Sequence, residues 1–322
     1  MSRHATISLY SVRRFAGDEN DRQHRVFDEL ARGVDDAAAV HSDLVAFPEH
    51  CNQPFSSVRT EFAEPLDGPT LTTMSRKAKE HGIYVVCPLA TIEEEGRVYN
   101  SSVLLDRQGN IAGVYHKNVL TPGEHEWGIV PGAETPVFST DFGRVGLAIC
   151  FDLGYWEVGS GLCANNAELV IWSTMWTGGR MIAKWAMEFG FYVGAVSTQS
   201  ATMVDLAGRE IAHQSDMVHN LSHGTAAPML TTTIDIDRRL FHPDFNMNRL
   251  EALYTRYGRT GVHVDLILHE CLMIIGSQTP GVTTDQMIKE IGLEPMRDYL
   301  ARSRALRREA LERIGRTPAI PL

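Results

Sequence analysis

Short apolar runs alternate along the chain with amphipathic stretches, and the spacing inside each predicts an element. ATISLYSV opens as a strand, and from about Asp21 to Val40 the apolar positions Val26, Leu30 and Val34 recur at helical spacing. DLVAFPEH then reads as an apolar strand ended by Pro48. Pro69 and Gly82 bracket a second helix, since proline suits a first turn and glycine a helix end. IYVVCPLA, VYNSSVLLD and IAGVYHKNVL follow as strands, the last two joined at RQGN, where Gly109 and Asn110 tolerate positive φ. After the loop TPGEHEWGIVPGAETP come the strands PVFST and RVGLAIC with DFG as their turn, so Cys150 closes a buried strand. A helix from Glu157 to Asn166, the strand ELVIWSTMW, a helix from Arg180 to Phe189, the strand FYVGAVST and the strand pair in ATMVDLAGREIAH extend the pattern to TTTIDIDRR. This mixture of βα units and hairpins implies an α/β architecture of two sheets with helices packed outside.

From about Arg238 the character changes. HPDFNMNRLEALYTRYGRTG reads as loop plus helix, VHVDLILHECLMII as apolar strand or buried helix, and Thr283 with Gln286 as the capping box of a short helix. MRDYLARSRALRREALERIG predicts a solvated helix with one packed stripe at Tyr299, Leu306, Ala310 and Ile314. The chain thus divides into a domain over residues 1–238 and an extension over 239–322, expected to pack on that domain or on a partner subunit.

With 322 residues, 43% of them hydrophobic, the chain can bury a large core. Its 30 Lys+Arg against 40 Asp+Glu, a formal net charge of -10, argue against a nucleic-acid partner, which needs clustered positive charge. No stretch approaches the apolar length that spans a bilayer, and MSRHATISLYSVRRF lacks the apolar core of a signal peptide, so no membrane association and a cytoplasmic location are expected. The five scattered cysteines form no CxxC pair, which suits reduced thiols better than a disulfide framework or a zinc site. Cys87, Cys163 and Cys271 are expected as small apolar filler.

Three segments carry candidate chemistry. Glu49 falls just past a strand end, Lys117 follows another strand with Glu124 seven positions on, and Cys150 stands at a strand exit ahead of Asp152 and Glu157. Singly, each is weak: a surface carboxylate, a loop lysine, a core cysteine. Together a thiol, a base and a cation are the parts needed to activate a nucleophile whose free pKa is about 8.5. His116 and the His269-Glu270-Cys271 string have no spacing that favours a metal.

Glu49, Lys117 and Cys150 in that order resemble the carbon–nitrogen hydrolase family, also called the nitrilase superfamily. YNSSVLLD, the Lys117-Leu120-Pro122-Glu124-Pro131-Gly132 pattern, AELVIWST, AMEFGFYVGA and MVDLAGREIA look like its recurring blocks, and they cover roughly Ala5 to Arg238. The resemblance implies a four-layer α-β-β-α sandwich of two mixed sheets with helices on both outer faces, a homodimer or higher homo-oligomer, and no cofactor or metal. It implies Glu49 as general base, Lys117 as oxyanion stabiliser, Cys150 as nucleophile and Glu124 as a second acid that orients Lys117 or the substrate, with the backbone N–H of Phe151 beside the oxyanion.

The expected reaction is hydrolysis of a small linear amide or N-carbamoyl compound through a thioester. True nitrilases of the family commonly follow the nucleophile with Trp-Glu, whereas this chain has Phe151-Asp152. Nitrile hydrolysis, acyl transfer from the same thioester and a non-catalytic binding or assembly module remain alternatives. Phe55, Trp127, Met175 and Trp176 adjoin the motifs and are expected to wall the substrate pocket, and Arg180 could pair with a substrate carboxylate. Two departures loosen the subfamily: Trp156-Glu157 stands where the family often has Pro-Glu, and Val196 where it often has Asn.

Overall fold

The computed structural model describes residues 3–12, 19–53, 60–93, 95–215 and 229–317. Its chain divides into two compact units, His4–Ile236 and the segment from Asp237 onward.

The first unit runs β1 (His4–Tyr10), α1 (Glu19–Ala39), β2 (Leu44–Ala46), α2 (Pro69–His81), β3 (Tyr84–Ile92), β4 (Val98–Leu105), β5 (Ile111–His116), α3 (Pro122–Glu126), β6 (Val137–Ser139) and β7 (Arg144–Ile149). It continues with α4 (Trp156–Ala164), β8 (Leu169–Ser173), α5 (Arg180–Phe189), β9 (Tyr192–Val196), β10 (Ser200–Val204), β11 (Glu210–Ser215) and β12 (Met229–Asp235). Two six-stranded sheets result, ordered β12-β1-β2-β3-β4-β5 and β11-β10-β9-β8-β7-β6. Both are mixed. The parallel strands β1, β2 and β3 centre one and β7, β8 and β9 the other, with antiparallel strands at the margins, hairpin-linked except for β12, which pairs with β1.

The parallel strands are apolar because both of their faces are covered. On one outer face Val26, Leu30 and Val34 of α1 and Leu71, Met74 and Ala78 of α2 pack on Val45, Val85, Cys87 and Val103. On the other, Val158 and Leu162 of α4 and Ile182, Trp185 and Phe189 of α5 pack on Val170, Trp172 and Val193. Between the sheets, Leu9 of β1 approaches Gly194 of β9, and the Phe138 ring of β6 lies against Gly113 of β5 so closely that a Cβ there would collide with it. The Ser173 hydroxyl at the end of β8 donates to the Phe47 carbonyl just past β2 at 2.8 Å, tying the sheets at the ends that carry Cys150 and Glu49. This is the four-layer sandwich expected from the sequence.

Local signals placed most boundaries. Helix α2 starts at Pro69 and ends at Gly82 in the left-handed conformation, φ 63°, while α5 spans Arg180–Phe189. At the β4–β5 turn the Asp106 carboxylate accepts from the N–H groups of Gln108 and Asn110, each at 2.8 Å, and Gly109 supplies the positive φ of 81°.

The second unit holds β13 (Arg239–Phe241), α6 (Leu250–Tyr257), β14 (Val262–Ile267), β15 (Leu272–Ser277), α7 (Thr284–Ile291) and α8 (Met296–Arg313). Its sheet runs β13-β15-β14 around an apolar cluster that includes Phe241, Leu253, Met273, Ile275 and Met287. The Thr283–Gln286 capping box opens α7. VHVDLILHECLMII resolves into two antiparallel strands, with Cys271 at a left-handed φ of 54° in the turn between them. Cys271 is therefore exposed, not apolar filler, whereas Cys87 is buried and Cys163 half-buried. Of the stripe expected on α8, Tyr299 is half-buried and stacks on His242 with ring centroids 4.8 Å apart, whereas Leu306, Ala310 and Ile314 are exposed.

Candidate active site

Strand ends converge on one buried cluster. Glu49 lies in the turn after β2, Lys117 directly follows β5, and Glu124 sits in α3. The Lys117 ammonium donates to Glu49 Oε1 at 3.0 Å and to Glu124 Oε1 and Oε2 at 2.9 and 2.8 Å. Its side chain is 1% exposed, so this is an ion pair out of water with two carboxylates on one cation. Burial works against the charge on Lys117, but attraction to Glu49 and to Cys150 and Glu124 outweighs it and raises the ammonium above its ordinary pKa. Burial likewise pushes Glu124 up, and Lys117 with the donors around it brings the carboxyl below its usual range.

Asn100 of β4 completes the cluster. Its side-chain amide donates to Glu49 Oε1 and Glu124 Oε1, both at 2.8 Å, so one nitrogen fixes the spacing of the two carboxylates. Glu124 is held a second way: Thr121 and Glu124 form a capping box in which Glu124 Oε2 accepts from the Thr121 N–H at 2.8 Å. The loop returns past Lys117, where the Gly132 N–H donates to the Lys117 carbonyl at 2.8 Å and a Cβ on Gly132 would collide with the His116 carbonyl.

Cys150 follows β7 directly and begins a 3-10 turn over Cys150–Gly154 in the left-handed region, φ 43°, a conformation that costs a non-glycine residue energy. Its carbonyl accepts from Trp172 Nε1 at 2.9 Å, and its sulfur is in reach of the Thr174 hydroxyl and the Met175 N–H. Burial and the Glu49 charge push the thiol up to about 12 against the opposing pull of Lys117, Thr174 and Met175. A group held there is a thiol at neutral pH, so attack by sulfur requires the proton to leave as the bond forms.

Asp152, fully buried two residues on, accepts from the Tyr115 hydroxyl at 2.7 Å, the Ile149 N–H at 2.9 Å and the Val119 N–H at 2.9 Å. Burial raises its carboxyl to about 6 in spite of those donors. His50 is also fully buried, at a φ of 49°, and neither ring nitrogen has a hydrogen-bond partner among the described residues. Burial holds its imidazole below its usual pKa and therefore neutral.

Of the expected pocket walls, Met175 places its N–H beside the Cys150 sulfur and Phe151 is half-buried with its ring 5.3 Å from Tyr155. Trp176 is 40% exposed and meets Trp172 edge-on at 5.6 Å, and Trp127, 46% exposed, caps α3 three residues from Glu124. Arg180 starts α5 and is exposed, and Phe55 lies outside the described residues. Sequence reasoning missed Asn100, Thr121 and Thr174, and it gave Tyr115 and Asp152 no role. T-x-x-E at Thr121–Glu124 and a lone Asn inside an apolar strand were the available signals.

Glu49, His50 and Glu124 present possible metal-ligating atoms within 4.8 Å of one another. Lys117 already lies at contact distance from both carboxylates, so a divalent cation there would face an ammonium, and the donor set does not suit a metal.

The family model described as carbon-nitrogen hydrolase matches residues 19–220, more than half of the chain, and the protein belongs to that family. A probable nitrilase of Schizosaccharomyces pombe is 30% identical over 143 residues, covering 42% of this chain and 51% of that protein. An (R)-stereoselective amidase of a Pseudomonas species is 36% identical over 132 residues, covering 40% of this chain and 47% of that protein. The chain thus spans about half the length of these curated relatives. The crystal structure of an amidase from a Nesterenkonia species superposes with a TM-score of 0.61 at 19% identity over 80% of this chain and 97% of that one, a likeness of fold.

Proposed function

We propose that this protein hydrolyses the carbon–nitrogen bond of a small linear amide or N-carbamoyl compound through a thioester on Cys150. The observation that carries the reading is the buried Lys117 ammonium bound to Glu49 and Glu124, with Asp152 of the Cys150 turn hydrogen-bonded to Tyr115 and Val119 on either side of that lysine. The amidase name of the Pseudomonas relative supports the choice of an amide.

In this mechanism Glu49 takes the Sγ proton as sulfur attacks the carbonyl carbon, so the thiolate never has to form alone in a site that disfavours it. The Lys117 ammonium and the Phe151 N–H receive the developing oxyanion. The latter belongs to the first turn of the 3-10 segment, whose donors lack partners inside the helix. Collapse of the tetrahedral adduct breaks the carbon–nitrogen bond, and the proton held by Glu49 passes to the nitrogen, which leaves as ammonia or an amine. Glu49 then deprotonates a water that attacks the thioester, and the departing sulfur recovers a proton. The sum is amide plus water to acid plus amine, with the enzyme regenerated. Glu124 holds Lys117 in position throughout.

Two further elements belong to the same reading. We place the self-association surface of a homodimer or higher homo-oligomer on α4 and α5, where Trp156, Met181 and Met187 are exposed beside one another's helices. The five cysteines, thiols and not disulfide halves, suit a reducing, cytoplasmic compartment.

The test is release of ammonia from a panel of small amides, N-carbamoyl amino acids and nitriles by the parent and by Cys150→Ala. Release from amides or carbamoyl compounds that disappears in the variant is the expected result. Turnover of nitriles alone, or turnover that survives the substitution, would overturn the proposal.

A further inference from the structure

We infer that Asp152 is a positioning residue that fixes the nucleophile and the oxyanion-binding lysine relative to each other. The inference rests on the reading of Cys150 and Lys117 given above, and it comes from where the three hydrogen bonds of one fully buried carboxylate end. Oδ2 accepts from the N–H of Ile149, the last residue of β7 and the one before Cys150, and from the hydroxyl of Tyr115, two residues before Lys117. Oδ1 accepts from the N–H of Val119, two residues after Lys117. Asp152 itself lies in the 3-10 turn that Cys150 begins. A single carboxylate therefore grips the entry to the nucleophile's turn and both flanks of the lysine. The sheet that leads into Lys117 and the sheet that leads into Cys150 are separate, and among the described residues no strand pairing joins them.

The chemistry of the grip explains why an acid is needed there. All three partners are donors, and an ionised carboxylate is an acceptor only, with lone pairs to meet them all. An asparagine of the same size cannot do so. With its oxygen toward Ile149 and Tyr115 its NH2 faces the Val119 N–H, and with the amide flipped its NH2 faces the Ile149 N–H. Either way one donor meets another, and the link between the two halves of the site is lost on one side. Displacement of a reacting group by about 1 Å costs on the order of 100-fold in rate.

The experiment compares the parent with Asp152→Asn and Tyr115→Phe. It measures kcat and KM for the best amide of the panel, and the rate of Cys150 alkylation by iodoacetamide as a function of pH, read at the Cys150 peptide by mass spectrometry. Asp152→Asn is expected to lower kcat on the order of 100-fold with KM within about threefold, and to move the pH profile of alkylation upward because the thiolate loses part of the Lys117 field. Tyr115→Phe, which keeps the Val119 and Ile149 bonds, is expected to show the same split at smaller size. A merely structural role would lower the melting temperature but leave the alkylation profile and kcat of the folded variant unchanged. Folded Asp152→Asn with kcat and alkylation profile unchanged would overturn the inference. If Asp152→Asn does not fold, an unchanged alkylation profile in Tyr115→Phe would do so. Should no amide be turned over by the parent, the alkylation profiles still decide the matter, so failure of the proposed reaction and failure of the clamp are distinguishable.

Discussion

Replacing Lys117 with methionine keeps most of the side-chain volume and removes the charge, which isolates what the ammonium does for the fold. The variant leaves Glu49 and Glu124 buried with oxygen atoms within 4.8 Å of each other and one shared Asn100 amide to hold them. At an effective dielectric constant of about 20, two like charges at that separation repel by about 3 kcal/mol. Breaking a buried pair by removing one partner costs about 3–5 kcal/mol by direct measurement on other proteins. The two routes agree, and a loss of about 3 kcal/mol at pH 8 is expected. Its pH dependence has a definite sign. In the parent, Glu124 is held below its usual pKa, so its stabilisation is present above the unfolded value and fades as pH falls through the folded one. In the variant one of the two carboxylates has its folded pKa raised by burial and by its neighbour, so the penalty is full at high pH and disappears as pH falls toward the unfolded value of about 4.3. Both trends narrow the gap between parent and variant as the solution is acidified. Urea denaturation followed by tryptophan fluorescence measures it, because all five tryptophans lie within the unit His4–Ile236. A gap below about 1 kcal/mol at pH 8, or one of equal size at pH 8 and pH 5, would refute the electrostatic account built on these values.

Three further outcomes follow from the same geometry. Because burial and Glu49 hold the Cys150 thiol up at about 12, its alkylation by iodoacetamide should accelerate about tenfold per pH unit between about pH 7 and pH 9; a plateau near neutrality would show a preformed thiolate instead. Gly132→Ala drives a methyl group into the His116 carbonyl, so a loss of about 1–3 kcal/mol in denaturation and a drop in kcat are expected, and full activity with parental stability would count against the tight return of this loop. Of the other four cysteines, Cys271 is the exposed one, and a bulky maleimide should label it first without affecting amide turnover, as peptide mapping of partially labelled protein would reveal.

The frame of the first unit was legible because each of its signals is local and the signals agree. Val26, Leu30 and Val34 fix the inner face of α1, Pro69 and Gly82 its successor's ends, and the apolar runs of β7, β8 and β9 their central place. The second unit was less legible for a physical reason. VHVDL alternates, but residues 266–268 and 272–275 are unbroken apolar runs in which neither a period of two nor one of 3.6 stands out, and the turn between them is made by Cys271 at positive φ instead of by the glycine that would announce it. On α8 the burial was read correctly only at Tyr299, since spacing shows which residues share a face and not whether anything covers the rest of that face.

The same distinction governs the site. Glu49, Lys117 and Glu124, each weak as a local signal, were found because with Cys150 they match the order and motifs of the family the chain resembles, and the structure brings the two carboxylates into direct contact with the lysine. The residues that hold them carry no such signature, because what defines them is a partner distant in sequence. Asn100 lies 51 positions from Glu49 and Asp152 lies 37 from Tyr115. Both break a local rule, an amide inside a buried strand and a carboxylate at zero exposure, and a polar group that is buried must find its hydrogen bonds somewhere. In a sequence whose apolar pattern is otherwise consistent, such violations are where a contact distant in sequence should be sought. Here one of them sets the spacing of the two carboxylates around Lys117, and the other joins the strand that ends at Cys150 to the segment that carries the lysine.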